Sequence, residues 1–155
     1  GNVVCYEPGE NEHLNGILKK TIVPSNISSF VKHQAILISG KLINSLDYVG
    51  VMGIEFFLKN EILYVNEMAP RVHNTGHWTQ DTCMVDQFEQ HIRSISDLPL
   101  GDGKRYADVE MINLLGDEIN KISKYKDCSI HIYGKKEVKP YRKMGHVNII
   151  KKGVI

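Results

Sequence analysis

Between Asn66 and Trp78 the chain reads NEMAPRVHNTGHW. Arg71 carries a planar guanidinium that can grip a small anion bidentately. His73 can hold or pass a proton near neutral pH. Asn74 offers both a donor and an acceptor, and Gly76 lets backbone approach a ligand closely. For any one of these residues a self-satisfied turn is the simpler reading. As a set they suit a small oxyanion beside a metal-bound phosphate. His73 and His77 also show H-x-x-x-H spacing, which suits zinc on a helix. Pro70 and Gly76 argue against a helix there, and no H-E-x-x-H or paired-cysteine pattern supports zinc. His77 and Trp78 are expected to seat the following helix.

A second carboxylate strengthens the oxyanion reading. GVMGIEFFLKNEILYVNEM reads as a β-hairpin, two apolar runs about a Lys59-Asn60-Glu61 turn. With a three-residue loop, Leu58 faces Ile62, Glu55 faces Val65 and Gly53 faces Glu67. Glu55 and Glu67 are then diagonal neighbours on one face, hard oxygen ligands within reach of a common Mg²⁺ ion. The other face carries Met52, Ile54, Phe56, Leu58, Ile62, Tyr64 and Met68, a core face interrupted by Asn66. A two-residue loop would put the glutamates on opposite faces, and the shared-ion reading would then fail. A solvated pair of surface carboxylates is the bland alternative.

The elements that must position these groups can be read around them. VVCYE and HLNGILKKTIV look like two strands around PGENE. SNISS offers helix N-caps, and Ile27, Phe30, Val31, Ile38, Leu42 and Leu46 recur at near-helical spacing to about Asp47, with Gly40 weakening the helix. TQDTCMVDQFEQHIRSI reads as a second helix with Met84, Val85, Phe88, Ile92 and Ile95 on one side. SDLPLGDG marks a boundary, which gives a unit over residues 1–98 and a small β-rich unit over 99–155. In the latter, YADVEMINLLG, CSIHIYG and HVNII read as strands. His91 and His131 are most simply a helix-side and a strand histidine.

Lys135, Lys136, Lys139, Arg142 and Lys143 form a basic run around Pro140. It reads as a solvated loop or as a phosphate-ester clamp supplied by a separate lobe, and it is too short and too poor in aromatics for nucleic acid. The 155 residues carry a formal net charge of +1, so no broad basic face points to nucleic acid. No apolar run approaches a membrane span. Three cysteines, odd in number and widely spaced, favour a reduced, cytoplasmic setting. The opening GNVVCYE already reads as a strand, which suggests a chain cut from something longer.

With these residues in view, GVMGIEFF…LYVNEMAPRVHNTGHWTQDTCMVDQFEQHIRSISDLPLG, together with NEHLNGIL and KPYRKMGHVNI, strongly resembles the C-terminal half of the N5-carboxyaminoimidazole ribonucleotide synthetase family. That family is the ATPase subunit of bacterial phosphoribosylaminoimidazole carboxylase, within the ATP-grasp superfamily. The resemblance implies an α+β fold, the C-terminal part of an ATP-grasp domain plus a small β-rich lobe. It implies a ligase that uses ATP and Mg²⁺ to join bicarbonate to 5-aminoimidazole ribonucleotide through carboxyphosphate, in de novo purine synthesis, and an often dimeric assembly.

By matching position, the resemblance implies that Glu55 and Glu67 hold Mg²⁺, with Asn66 and His13 beside them at the nucleotide. It puts Arg71, His73 and Asn74 at the bicarbonate or carboxyphosphate pocket. Lys135 and Arg142, or else Lys136 or Lys143, would clamp the ribonucleotide phosphate. The family's usual P-G-R-K appears here as Pro140-Tyr141-Arg142-Lys143, so a tyrosine would be strained if that position needs φ > 0. The family's N-terminal domain and the lysines that grip nucleotide phosphates have no counterpart here, so the chain by itself is expected to be inactive. Another ATP-grasp carboxylate-amine ligase, or a non-catalytic Mg-nucleotide-binding module, would also account for the paired glutamates.

Overall fold

The computed structural model describes residues 2–153. In chain order the elements are β1 (Glu10–Leu14), β2 (Ile17–Val23), α1 (Ser29–Ser45), β3 (Gly53–Lys59), β4 (Ile62–Ala69), a 3-10 segment (Asn74–Asp81), α2 (Gln87–Ile95), β5 (Ala107–Leu115), a second 3-10 segment (Gly116–Lys124), β6 (Ser129–Ile132) and β7 (Lys143–Gly153). The fold is α+β. No described helix is long and apolar enough to cross a membrane.

Five strands form an antiparallel sheet in the order β1-β2-β5-β7-β6. The three strands expected in the C-terminal part are present as β5, β6 and β7. Because β2 pairs with β5, the sheet is continuous across the SDLPLGDG stretch. Leu18, Val23, Val109 and Met111 pack from the sheet against Trp78 and Cys83. Tyr6 meets the Trp78 ring edge-on at 6.2 Å. That contact uses both the apolar body and the polar tip of Tyr6, whose hydroxyl donates to the Val85 carbonyl at 2.8 Å.

The first hairpin lies later than expected. Residues 3–7 are not a strand, and the turn is not PGENE but Asn15-Gly16, with φ of 52° and 75°. Asn-Gly is the strongest two-residue hairpin signal, because both residues tolerate the left-handed region that such a turn demands.

The β3–β4 hairpin also departs from its expected register. Lys59 pairs with Ile62, so the loop is the two residues Asn60-Glu61, both at positive φ. The ladder then runs Leu58↔Leu63, Phe57↔Tyr64 and Phe56↔Val65, skips Asn66, and resumes at Glu55↔Glu67. One extra residue on β4 reverses the facing of everything beyond it. The expected diagonal pairing of the glutamates is therefore replaced by direct opposition, through a bulge the sequence did not advertise. The expected core face changes too. Ile62 and Tyr64 share the glutamate side, while Leu63 and Val65 join Ile54, Phe56 and Leu58. Neither face is closed, since Phe57, Leu58, Tyr64, Val65 and Met68 are all exposed.

Both helices bury less of their apolar stripe than periodicity suggests. Ser28 caps α1, its side chain accepting from Val31 N at 3.3 Å. Val31 and Ala35 are buried, whereas Phe30 and Leu46 are exposed. The second helix is shorter than expected. Its N-cap is Asp86, which accepts from Phe88 N at 2.7 Å and Glu89 N at 3.0 Å, and satisfying those two orphan donors fixes the start. Its buried residues are Gln87 and Gln90, while Met84, Phe88, Ile92 and Ile95 point outward.

Candidate active site

Three elements meet at the glutamates. Glu55 comes from β3 with only 8% of its surface exposed, and Glu67 faces it from β4. The bulged Asn66 donates through Nδ2 to Glu55 Oε2 at 3.4 Å. His73 lies over both, with Nδ1 3.7 Å from Glu55 Oε1 and Nε2 3.6 Å from Glu67 Oε1. His13 reaches in from β1, its Nε2 3.9 Å from Glu55 Oε2. Burial holds the His73 pKa below the ordinary imidazole value despite the opposing pull of Glu55 and Glu67, and Arg71 and Lys143 push the same way as burial. Ligand atoms of Glu55, Glu67 and His73 all lie within 4.8 Å of one another. A nearly buried carboxylate whose one side-chain hydrogen bond among the described residues is the long contact from Asn66, facing a second carboxylate, fits a hard divalent cation such as Mg²⁺.

His73 owes its place to residues outside the motif. Gln87, at the start of α2, accepts from His73 N through Oε1 at 2.9 Å and donates to His73 O through Nε2 at 2.9 Å. The same Nε2 donates to His77 Nδ1 at 2.7 Å. With both backbone groups of His73 satisfied by one amide, its orientation is fixed, and Nδ1 of His77 must be the unprotonated nitrogen. A Cβ on Gly53 would stand 2.5 Å from His73 Cβ, and one on Gly76 would stand 2.6 Å from Gln87 Oε1. These glycines are seats for the imidazole and its clamp. His77 thus contacts the following helix, as expected.

Asn74 turns from the glutamates toward the sheet, exchanging amide bonds with Asn113 on β5 at 2.9 and 2.6 Å. Burial raises the pKa of the Tyr133 hydroxyl to about 12, with Asn74 pulling it the other way. Arg71 is exposed and donates to the Val72 carbonyl at 2.9 Å. The expected phosphate clamp is likewise turned onto backbone. Lys135 Nζ donates to the Lys143 carbonyl at 2.7 Å, and Arg142 Nη1 donates to the Glu137 carbonyl at 3.2 Å. Tyr141, just before Arg142, has a φ of 61°, so the strain anticipated for a tyrosine at this position is present. Lys143, like Arg71, lies in the field of the site. Burial lowers its pKa while Glu55 and Glu67 raise it, and Lys135 and Arg71 oppose them.

Sequence reasoning did not single out Gln87, Tyr133 or Asn113, nor a stack of imidazoles beside them. His146 on β7 lies 4.8 Å from the His77 ring and 4.4 Å from the His131 ring, nearly parallel to the latter at 12°. His146 Nδ1 bonds Tyr133 Oη at 2.8 Å, and His131 Nε2 bonds Asp81 Oδ2 at 2.8 Å. Asn148 Nδ2 also donates to Asp81 Oδ2, at 2.6 Å, and its bond helps hold that carboxyl below its ordinary pKa despite burial. Burial first, and then the proximity of Lys143 and the neighbouring imidazoles, pushes His77 down to about 4, and burial beside the other imidazoles pushes His146 down to about 3. His77 and His146 are therefore neutral at physiological pH. Its members stand in separate strands and loops, so only the GHW and MGH contexts carried any signal.

A two-glutamate hairpin leading into a polar loop that borders an antiparallel sheet defines a class. The chain belongs to the ATP-grasp family, whose domain matches residues 1–88. The phosphoribosylaminoimidazole carboxylase C-terminal domain matches residues 110–154. Among individual relatives the resemblance is to N5-carboxyaminoimidazole ribonucleotide synthase. The chain is 49% identical over 155 residues to that protein of Brucella melitensis, covering 97% of this chain and 43% of the relative. It is 41% identical to that of Bacillus subtilis, covering 97% and 41%. The synthetase structure from Thermus thermophilus superposes with a TM-score of 0.90 at 39% identity, covering 97% of this chain and 42% of that one. The Aspergillus clavatus enzyme in complex with ADP and 5-aminoimidazole ribonucleotide gives 0.90 at 31% identity, covering 96% and 43%. The chain thus spans about two fifths of the length of these relatives.

Proposed function

We propose that this chain supplies the metal and oxyanion edge of an ATP-dependent ligase that carboxylates 5-aminoimidazole ribonucleotide with bicarbonate, via carboxyphosphate, in purine biosynthesis. The observation that carries the reading is the direct opposition of Glu55 and Glu67 beneath a clamped His73. Glu55 and Glu67 would hold Mg²⁺, which when bound neutralises and orients the ATP phosphates. Asn66 and His13 flank that edge and orient the nucleotide. Arg71, His73 and Asn74 line the oxyanion pocket: Arg71 offers charge, His73 a neutral imidazole, and Asn74 an amide fixed by Asn113. Lys135 and Arg142 clamp the ribonucleotide phosphate after releasing the carbonyls they now hold, with Lys143 facing the metal edge. Residues 1–98 and 99–155 act as the ATP-grasp part and the small β-rich lobe. The working assembly is a cytoplasmic homodimer that includes the N-terminal half found in the longer relatives, and the chain alone is inactive.

The test is ATP hydrolysis by the protein expressed from its complete gene. Aminoimidazole ribonucleotide with bicarbonate stimulates it, and Glu67→Gln abolishes the stimulation. Stimulation by formate with glycinamide ribonucleotide would instead assign a different ATP-grasp carboxylate-amine ligase. Tight Mg-ATP binding without turnover on any amine would mark a non-catalytic nucleotide module.

A further inference from the structure

The glutamate pair has a third partner whose chemistry differs from that of Mg²⁺ ligands. His73 Nδ1 lies 2.9 Å from Thr75 Oγ1, a hydrogen-bonding distance, whereas Nε2 lies 3.6 Å from Glu67 Oε1, beyond one. In the tautomer whose Nδ1–H donates to the threonine hydroxyl, Nε2 presents its lone pair toward the Glu67 carboxylate. Glu55, nearly buried, adds a third acceptor in the same space. Among the described residues no hydrogen bond joins the His73 ring to either carboxylate, and a cation placed among the three would bind them all.

The imidazole is also held in the manner of a metal ligand. Its backbone is pinned on both sides by Gln87, Gly53 leaves room beneath its Cβ, and Thr75 fixes the outer nitrogen. A hydrogen-bonded outer nitrogen is the usual support for a metal-ligating histidine. Mg²⁺ selects oxygen and retains water, whereas first-row transition cations accept imidazole readily.

We propose that Glu55, Glu67 and the Nε2 of His73 form a three-ligand site for a divalent transition cation, occupied in the absence of nucleotide. The inference rests on the reading of Glu55 and Glu67 as the metal edge and adds a nitrogen ligand and a metal preference to it. Neutral imidazole and two carboxylates balance the charge of a divalent ion, and the remaining coordination positions are open to water or phosphate oxygen.

The experiment uses Mn²⁺ with this chain, because Mn²⁺ has little affinity for the thiols of Cys5, Cys83 and Cys128. Mn²⁺ binding is followed by electron paramagnetic resonance, with pulsed detection of coupled ¹⁴N. The parent chain is expected to bind one Mn²⁺ with ¹⁴N coupling, which His13→Gln leaves intact and His73→Gln removes. In His73→Gln the preference for Mn²⁺ over Mg²⁺ falls about tenfold. Mn²⁺ bound to the parent without ¹⁴N coupling, yet lost in Glu67→Gln, would overturn the nitrogen ligand and leave the carboxylate edge standing. Binding indifferent to Glu67→Gln would overturn both. Coupling that persists in His73→Gln, or that disappears in His13→Gln, would also refute the site. The parent spectrum alone keeps the proposal falsifiable if a variant fails to fold.

Discussion

Glu55 and Glu67 stand directly opposite each other across β3 and β4 because Asn66 is bulged out of the ladder. The two-residue turn at Asn60-Glu61 sets a register in which, without the bulge, Glu67 would fall opposite Ile54 on the other face. Two local features, each unfavourable to the site or neutral alone, thus combine to build it. The bulge also swings the Asn66 amide toward Glu55. A strand irregularity that re-aims side chains beside a reactive centre is a familiar use of this device.

The seat under His73 gives the first prediction. Gly53→Ala places a methyl 2.5 Å from His73 Cβ, a distance real Cβ atoms do not occupy. The hairpin and the imidazole must separate, and overpacking of this kind costs about 1–3 kcal/mol. The expected outcome is a lower urea midpoint, followed by Trp78 fluorescence, together with weaker divalent-cation binding. An unchanged midpoint and unchanged cation affinity would show that His73 does not rest on Gly53.

The clamp gives the second. Gln87→Leu keeps the approximate volume but removes the acceptor for His73 N and the donor for His73 O and His77 Nδ1. Each buried group left unpaired costs about 1–3 kcal/mol. Gln87→Glu retains the acceptor and loses the donor, so it should fall between Leu and the parent in thermal stability. Equal stability of all three chains would remove Gln87 from its positioning role.

Much of this was legible in the sequence, and the reasons for the gaps are physical. That Glu55 and Glu67 share one hairpin face follows from strand alternation, though their register does not, and the strain at Tyr141 follows from the resemblance's P-G-R-K. Strands β5, β6 and β7 follow from alternation, and their ladders confirm them. The Asn66 bulge does not follow, because one residue added to a strand leaves no compositional mark. Nor does the inward face of α2, where Gln87 and Gln90 are buried and Ile92 and Ile95 are exposed. Periodicity reports that a helix has two faces, while the need to satisfy the backbone of residues 73 and 101 decides which face turns inward. Arg71 by its guanidinium, and Lys135 and Arg142 by the family resemblance, are expected as anion ligands, yet their side chains rest on carbonyls, an arrangement neither signal foresees.

Tyr141 offers the third prediction. Its φ of 61° is the left-handed region, which costs a residue with a Cβ about 1–2 kcal/mol relative to the right-handed one, and its side chain is 53% exposed. Tyr141→Gly removes that strain and little packing, though it frees the unfolded chain. The expected result is a rise in stability of about 0.5–1 kcal/mol by chemical denaturation. A loss of stability would mean that the ring contributes packing against the Gly116 turn that outweighs the backbone cost.

Acid sensitivity is the last prediction, and its sign follows from the imidazole stack. In the folded chain His77 is held down to about 4 and His146 to about 3, both by burial first. Once unfolded, both return to about 6.5 and bind protons that the native state refuses. The stabilising contribution is therefore complete above about pH 6.5. It is lost as pH falls from there toward 4 for His77 and toward 3 for His146. Each histidine contributes about 1.4 kcal/mol per pH unit inside its window. Asp81, held low through Asn148 and His131 despite its burial, adds a loss in the same direction at still lower pH. His146 Nε2 has no hydrogen-bond partner among the described residues, so a proton placed there gains nothing to offset its desolvation. Urea midpoints measured at pH 7, 6 and 5 should fall steadily. His146→Gln, which cannot titrate, should fall with about half the slope even if it starts from lower stability. A midpoint constant from pH 7 to 5 in the parent chain would mean that the stacked imidazoles accept protons without leaving the core.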